Sequence, residues 1–164
     1  MTQITLILHN IRSTHNVGSI FRTAEGFGVD QIICSGYTPY PKIDNDPRLP
    51  HIATKLDSQI HKTALGAERL VPFKYQAGLD LASLIDQGYK LVGLEQDKRS
   101  IQLTRYQPTE KIALLLGEEV DGIASSLREQ CDTLLEIPMQ GQKESFNVSV
   151  AAGIALFALT QSEH

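Results

Sequence analysis

Apolar residues fall along this chain in short blocks of two kinds, separated by polar stretches that carry glycine. Ile4-Thr5-Leu6-Ile7-Leu8 has the compact apolar character of a buried strand, and after His15-Asn16 the positions Val17, Ile20, Phe21 and Ala24 recur at helical spacing. Gly26 and Gly28 stop that helix, and Gln31-Ile32-Ile33-Cys34 supplies a second strand, so the chain opens as a βαβ unit. Residues 36–56 hold prolines at 39, 41, 47 and 50 together with Gly36, Asp44, Asn45 and Asp46, which predicts a long irregular loop. Further strands are predicted over Leu70-Val71-Pro72-Phe73 and Lys90-Leu91-Val92-Gly93-Leu94, with a helix over residues 78–87 between them, where Leu79, Leu81, Ala82 and Ile85 take helical spacing. Ile112 to Leu116 is apolar throughout and ends at Gly117, as a central parallel strand would, and Leu134 to Pro138 reads as the last strand.

The chain then closes on a helix predicted over residues 145–161. It is apolar through Val148, Val150, Ala151, Ala152, Ile154, Ala155, Leu156, Phe157, Ala158 and Leu159, more than one face can account for. A second copy of the chain is the expected cover, giving a homodimer through this helix. The alternation as a whole predicts an α/β fold with an open, mostly parallel sheet and helices on both faces, in one domain over residues 1–164.

Composition narrows the function classes. With 41% hydrophobic and 21% charged residues the chain is an ordinary globular one. It has no basic-then-apolar leader and no apolar run near the roughly 20 residues a bilayer needs, so a soluble, cytoplasmic protein is expected. Cys34 and Cys131 are far apart and suggest core thiols, not a disulfide framework or a zinc site. His9, His15, His51, His61 and His164 show no paired metal spacing, and no metal is expected. The net charge of −4 argues against a nucleic-acid partner until its distribution is seen: residues 1–75 carry eight Lys/Arg and six Asp/Glu, residues 76–164 seven and thirteen. An RNA-facing surface would therefore draw on the first half.

Most α/β domains with nucleotide ligands carry a glycine-rich phosphate loop after the first strand. Here Gly26-Phe27-Gly28 follows a helix and lacks the later glycine, and no Gly-Lys-Ser/Thr occurs, which disfavours dinucleotide-dependent oxidoreductases and P-loop NTPases. Three polar segments stand instead where strands end: Asn10 to Gly28, Leu115 to Gly122, and Ile137 to Gly153. Within them lie an Asn (Asn16) six positions before an Arg (Arg22), Gly117-Glu118-Glu119 after the buried strand, and Ser145-Phe146-Asn147-Val148-Ser149-Val150-Ala151-Ala152 opening the last helix.

In these residues, and in their order, the chain resembles the SpoU (TrmH-type) branch of the SPOUT methyltransferases over essentially its whole length. The resemblance implies a C-terminal trefoil knot, S-adenosylmethionine as cofactor, and methyl transfer to a ribose 2′-hydroxyl of transfer or ribosomal RNA. It implies cofactor contacts from Leu94, Glu95, Gly117, Ile137, Met139 and Ser145, and a catalytic group of Arg22, Asn16, Glu119, Ser145 and Asn147. Arg22 either acts as general base once an RNA phosphate engages it or stabilises the developing alkoxide while still protonated; a guanidinium pKa above ~12 makes deprotonation costly. Plainer readings stand beside these. Arg22 could pair with Glu25, Glu119 could serve a helix N-terminus, and Asn147 could be a cap. Arg12 is a candidate phosphate contact beside Arg22, and the residue 36–56 loop, through Lys42, Arg48 and Lys55, is the candidate for RNA selection. Two other functions stay open: a noncatalytic RNA-binding module on the same fold, and a base-directed SPOUT methyltransferase.

Overall fold

The computed structural model describes residues 1–161, so His164 lies outside the described residues. The strands are β1 (Gln3–His9), β2 (Gln31–Ser35), β3 (Phe73–Gln76), β4 (Lys90–Leu94), β5 (Ile101–Gln102), β6 (Lys111–Leu116) and β7 (Thr133–Glu136). They form one sheet in the order β3-β2-β1-β6-β4-β7-β5, with every pairing parallel. The helices are α1 (Thr14–Gly26), α2 (Pro50–Ala64), α3 (Leu81–Asp86), α4 (Ser125–Arg128) and α5 (Val148–Gln161). The α/β class and the parallel sheet are as the periodicity predicts.

The period of two in the strands divides the core. Ile4, Leu6 and Leu8 of β1 and Ile112, Leu114 and Leu116 of β6 pack with α1, α2 and α5, while Ile7, Ala113 and Leu115 face the opposite side with Leu81 and Leu84 of α3. Helices thus cover both faces. Cys34 lies in the first of these clusters, and burial pushes its thiol up to about 12; Cys131, half-buried against the second, is raised to about 11 by burial first and by Asp132 next. Both remain free thiols.

The ends of α1 follow from its residues. Ser13 caps it by accepting from the Asn16 amide, and at its other end Gly28 takes a φ of 66° while its N–H donates to Glu25 and that of Val29 to Ala24. This is the double bond pattern that a left-handed glycine allows.

Four predicted elements shift. The irregular loop ends at Leu49 because Pro50 begins α2: proline is accepted at the first helical position, where its missing N–H has no intrahelical acceptor. Lys55 and Leu56 are therefore helical. The strand predicted at residues 70–73 begins only at Phe73; Leu70 is 69% exposed after a 3₁₀ turn at Ala67–Arg69, and the ladder to β2 starts with the Ile32 N–H donating to the Pro72 carbonyl. The helix predicted over residues 78–87 is confined to Leu81–Asp86, capped by Asp80. The last helix starts at Val148, not Ser145, since Asn147 Oδ1 accepts from the Ser149 and Val150 amides and so occupies the cap position.

Candidate active site

β1, β6, β4 and β7 are neighbours in the sheet and all run the same way, so the segments that follow them meet along one edge. These are the three polar segments found in the sequence, joined by Glu95 after β4.

The segment after β6 doubles back. Glu118 and Gly122 exchange both backbone hydrogen bonds at 3.0 Å, which brings the Gly122 carbonyl within 2.5 Å of where a Cβ on Gly117 would lie. Gly117 is thus required by close approach and Gly122 by its φ of 67°, a position where a side chain would also collide with the Glu95 carboxylate. That carboxylate accepts from Ile123 N at 2.7 Å and Gln96 N at 3.0 Å, pinning the turn to the end of β4.

At the tip of this turn Glu119 reaches the start of α1. It accepts from the Arg12 and Ser13 amides, each at 3.2 Å, and from Asn16 Nδ2 at 3.3 Å. Asn16 Oδ1 in turn accepts from Asn147 Nδ2 at 3.2 Å. One hydrogen-bonded chain, Glu119–Asn16–Asn147, therefore joins residues from all three segments, with Asn16 buried between its partners. Desolvation would raise the Glu119 carboxyl, but the backbone amides of Glu119, Arg12 and Ser13 and the Asn16 amide outweigh it and hold the group below its ordinary value. Glu119 serves as an anion at a helix N-terminus and as an anchor for Asn16 at once, and Asn147 is both a cap and a partner.

Beside this chain lies an open cleft enclosing about 760 Å³ of non-atom space, solvent at its mouth included. Its apolar lining comes from Leu94, Leu116, Leu135, Ile137 and Phe146. Glu95, Glu118, Glu119, Asp121 and Glu136 also line it, and among the described residues no Lys, Arg or His does. A cleft with several carboxylates and no cation is a poor place for phosphates and a good one for an apolar-bodied ligand of net positive charge.

The candidates for cofactor contact, Leu94, Glu95, Gly117, Ile137 and Ser145, all line this cleft; Met139 is half-buried and does not. Of the catalytic candidates, Asn16, Glu119 and Asn147 are directly bonded and Ser145 stands on the cleft wall. Arg22 is not drawn in. It is exposed on α1, lines no part of the cleft and makes no ion pair with Glu25 or any other acid among the described residues.

The RNA candidates separate. The exposed Arg12 side chain lies over the Tyr37 ring, 5.7 Å from its centroid, while Lys42 and Lys55 are exposed on the loop and on α2. Arg48 is built into the loop: its guanidinium donates to both Asp46 carboxylate oxygens at 2.9 and 2.6 Å, to the Tyr40 carbonyl at 2.8 Å and to the Pro41 carbonyl at 3.2 Å, with its face 3.6 Å from the Tyr40 centroid. Arg48 holds the loop in shape; an assignment to RNA shared equally with Lys42 and Lys55 does not fit its surroundings.

Sequence reasoning missed Ser13, Tyr37, Glu118 and Phe146. Ser13 was legible as the residue three before Asn16 at a helix start. Tyr37, whose hydroxyl donates to Glu118, carries no local signal, because its partner follows a different strand.

Comparison with known proteins places this geometry among relatives. A sequence profile described as the SpoU rRNA Methylase family matches residues 47–157. The 23S rRNA (guanosine-2′-O-)-methyltransferase RlmB of Nitrosomonas europaea is 36% identical over 160 residues, covering 94% of this chain and 54% of the relative. The enzyme of the same name from Vibrio parahaemolyticus is 34% identical over 158 residues, covering 95% and 58%. The chain thus spans about half the length of the curated relatives it matches. Among solved structures, the AdoMet-bound rRNA methyltransferase of Sinorhizobium meliloti shares the fold with a TM-score of 0.80 at 23% identity, over 96% of this chain and 55% of that one. The TrmH/SpoU tRNA modifying enzyme of A. aeolicus does so with a TM-score of 0.78 at 21% identity, over 98% and 75%.

Proposed function

The chain belongs to the SpoU rRNA methylase family, and from that premise we propose that it transfers a methyl group from S-adenosylmethionine to a ribose 2′-hydroxyl of RNA. The observation that carries this reading is the Glu119–Asn16–Asn147 chain standing beside a cleft that carboxylates line and no cationic side chain among the described residues enters. Ribosomal RNA is the substrate class that the named activity of the curated relatives supports.

The cleft suits the cofactor on its own chemistry. An adenosyl group fits the apolar walls from Leu94, Leu116, Leu135 and Ile137, and the sulfonium and ammonium charges fit the carboxylates. The cofactor supplies an electrophilic methyl group. Gly117 leaves room for close backbone approach, and Glu95, already bonded to two amides, keeps the turn in place.

A hydroxyl is a weak nucleophile, and charge that develops on its oxygen needs a fixed positive partner or a base. Glu119 is a weak base here, since its ionised form is stabilised; its part is to hold Asn16, whose amide positions the ribose. Arg22 supplies the positive charge. Its guanidinium is exposed, lies outside the cleft and pairs with no acid among the described residues, so it is available to an RNA phosphate while keeping its proton, and to the alkoxide only where bound RNA brings the ribose to it. Ser145 orders the cleft wall, and Met139 joins it only if the 137–147 segment closes on the cofactor. Arg12, Lys42 and Lys55 extend the RNA surface.

Two further parts belong to the same reading. A homodimer through α5 is supported by the apolar face that the helix leaves open, with Val150 50% and Phe157 59% exposed. The trefoil knot that the family resemblance implies, and a cytoplasmic location, complete it; no helix among the described residues is long and apolar enough to cross a membrane.

The test is transfer of labelled methyl from S-adenosylmethionine into total RNA from cells lacking the protein, wild type against Arg22→Ala. The wild type should yield 2′-O-methylribose, and the variant should lose at least roughly 100-fold of the rate while binding cofactor unchanged. Cofactor binding with no RNA-dependent transfer by the wild type would favour the noncatalytic module; label on a base nitrogen would favour base methylation.

A further inference from the structure

We infer that a second cavity, across the Glu118–Glu119 wall from the carboxylate-lined cleft, receives an unpaired nucleobase of the RNA; this rests on the RNA-directed reading proposed above. The cavity lies among the start of α1, the loop that follows β2, α2 and the end of β3, and encloses about 1060 Å³ of non-atom space, solvent included. Arg12, Thr14, Tyr37, Tyr40, Gln59 and Tyr75 are the lining residues that matter.

Three observations support it. The first is position. The Arg12 amide donates to Glu119 and the Tyr37 hydroxyl to Glu118, and both acids also line the first cleft. The two cavities therefore share a wall, and a ribose held at Asn16 and Glu119 can pass its own base or its neighbour's across it.

The second is charge. Among the described residues no carboxylate lines the second cavity, and of its two guanidinium groups Arg48 is committed to Asp46, which leaves Arg12 as the free positive charge, whereas every charged side chain lining the first is an acid. A polyanion is repelled by one and accepted by the other, so nucleic acid entering this edge of the sheet is directed to the second.

The third is the surface itself. Tyr37 is 48% exposed with the Arg12 guanidinium over its ring, whereas Tyr40, 5% exposed, is stacked on Tyr75 with centroids 4.3 Å apart and covered by the Arg48 guanidinium, so it backs the cavity and offers no ring face of its own. Aromatic rings and guanidinium planes are the platforms on which unstacked bases lie. The Gln59 amide and the Thr14 hydroxyl line the same space and have no side-chain hydrogen-bond partner among the described residues, which leaves donors and acceptors for a base edge. Tyr37 is the platform, Arg12 the adjacent phosphate contact, and Gln59 the reader.

The experiment uses a dye-labelled, random-sequence RNA of about 12 nucleotides and the full chain with S-adenosylmethionine present. Anisotropy measures RNA affinity, calorimetry measures cofactor affinity, and thermal melting checks the fold. Tyr37→Ala should bind RNA roughly 5- to 100-fold more weakly with cofactor affinity unchanged, Tyr37→Phe should keep most of the affinity because the ring remains, and Gln59→Ala should lose affinity without loss of stability. Equal RNA affinity for wild type, Tyr37→Ala and Gln59→Ala overturns the base site while leaving the methyl-transfer reading standing. A wild type that binds cofactor but neither binds nor methylates RNA overturns that reading and the base site with it. If Tyr37→Ala melts early, Gln59→Ala alone decides: unchanged affinity there overturns the proposal.

Discussion

Glu119 shows how much one side chain can do at the end of a strand. Its carboxylate is a partner for two backbone amides and the Asn16 side chain, and these contacts favour its charged form in the folded protein. A carboxyl held below its ordinary value of 4.5 stabilises the fold above that value, and the contribution is lost as pH falls through the lower folded value. Glu119→Gln should therefore be less stable than wild type at neutral pH and lose stability less steeply on acidification, as urea unfolding across pH would record. Parallel curves would remove Glu119 from the α1 anchor. Arg22 is the contrary case at this scale: exposed and without an ion pair among the described residues, it should change stability by no more than ~0.5 kcal/mol when replaced, so a loss of methyl transfer in Arg22→Ala would not be a loss of fold.

Among the elements, α1 and α2 meet more closely than their side chains advertise. A Cβ on Gly18 would collide with Thr63 Oγ1 and with the Ile60 carbonyl of α2, and the second is a backbone atom that cannot turn aside. Gly18→Ala should cost about 1–3 kcal/mol in denaturant unfolding, because the helices must separate to admit the methyl group. Gain of stability through helix propensity would mean that the pair is not in contact. This junction also explains why α2 escaped the sequence pattern. Its buried residues are Ala53, Ile60 and Ala64, two of them too small to register as an apolar stripe, and four prolines precede or begin it. By contrast β1, β6 and α1 were legible, since long apolar side chains at period two or 3.6 mark them directly. Of the site, Asn16, Gly117, Glu119 and Asn147 were legible as motif residues, whereas the position of Arg22 away from them was not.

At the scale of the molecule, α5 has one face in the core through Ala152, Ala155, Leu156 and Leu159 and leaves Val150 and Phe157 exposed, with the Phe157 ring resting edge-on near Phe27. The apolar girth seen in the sequence is thus met by the rest of the chain on one side only. Phe157→Glu should convert a dimer to a monomer in sedimentation equilibrium while cofactor affinity is kept. A monomeric wild type would sink the dimer reading.

The chain by itself determined what nearest neighbours along it decide: strands from short apolar runs, the stops of α1 from Gly26 and Gly28, and the three polar segments at strand ends. Only the tertiary structure decided which of those segments touch. Asn16 meets Glu119 across 103 positions, Asn147 meets Asn16 across 131 and Tyr37 meets Glu118 across 81. Such contacts depend on the strand order β2-β1-β6-β4-β7, which places the ends of distant segments side by side. Local patterning reports which residues are buried and in what conformation; it holds no record of which strand lies next to which, because that choice is made by packing among elements the local pattern treats separately.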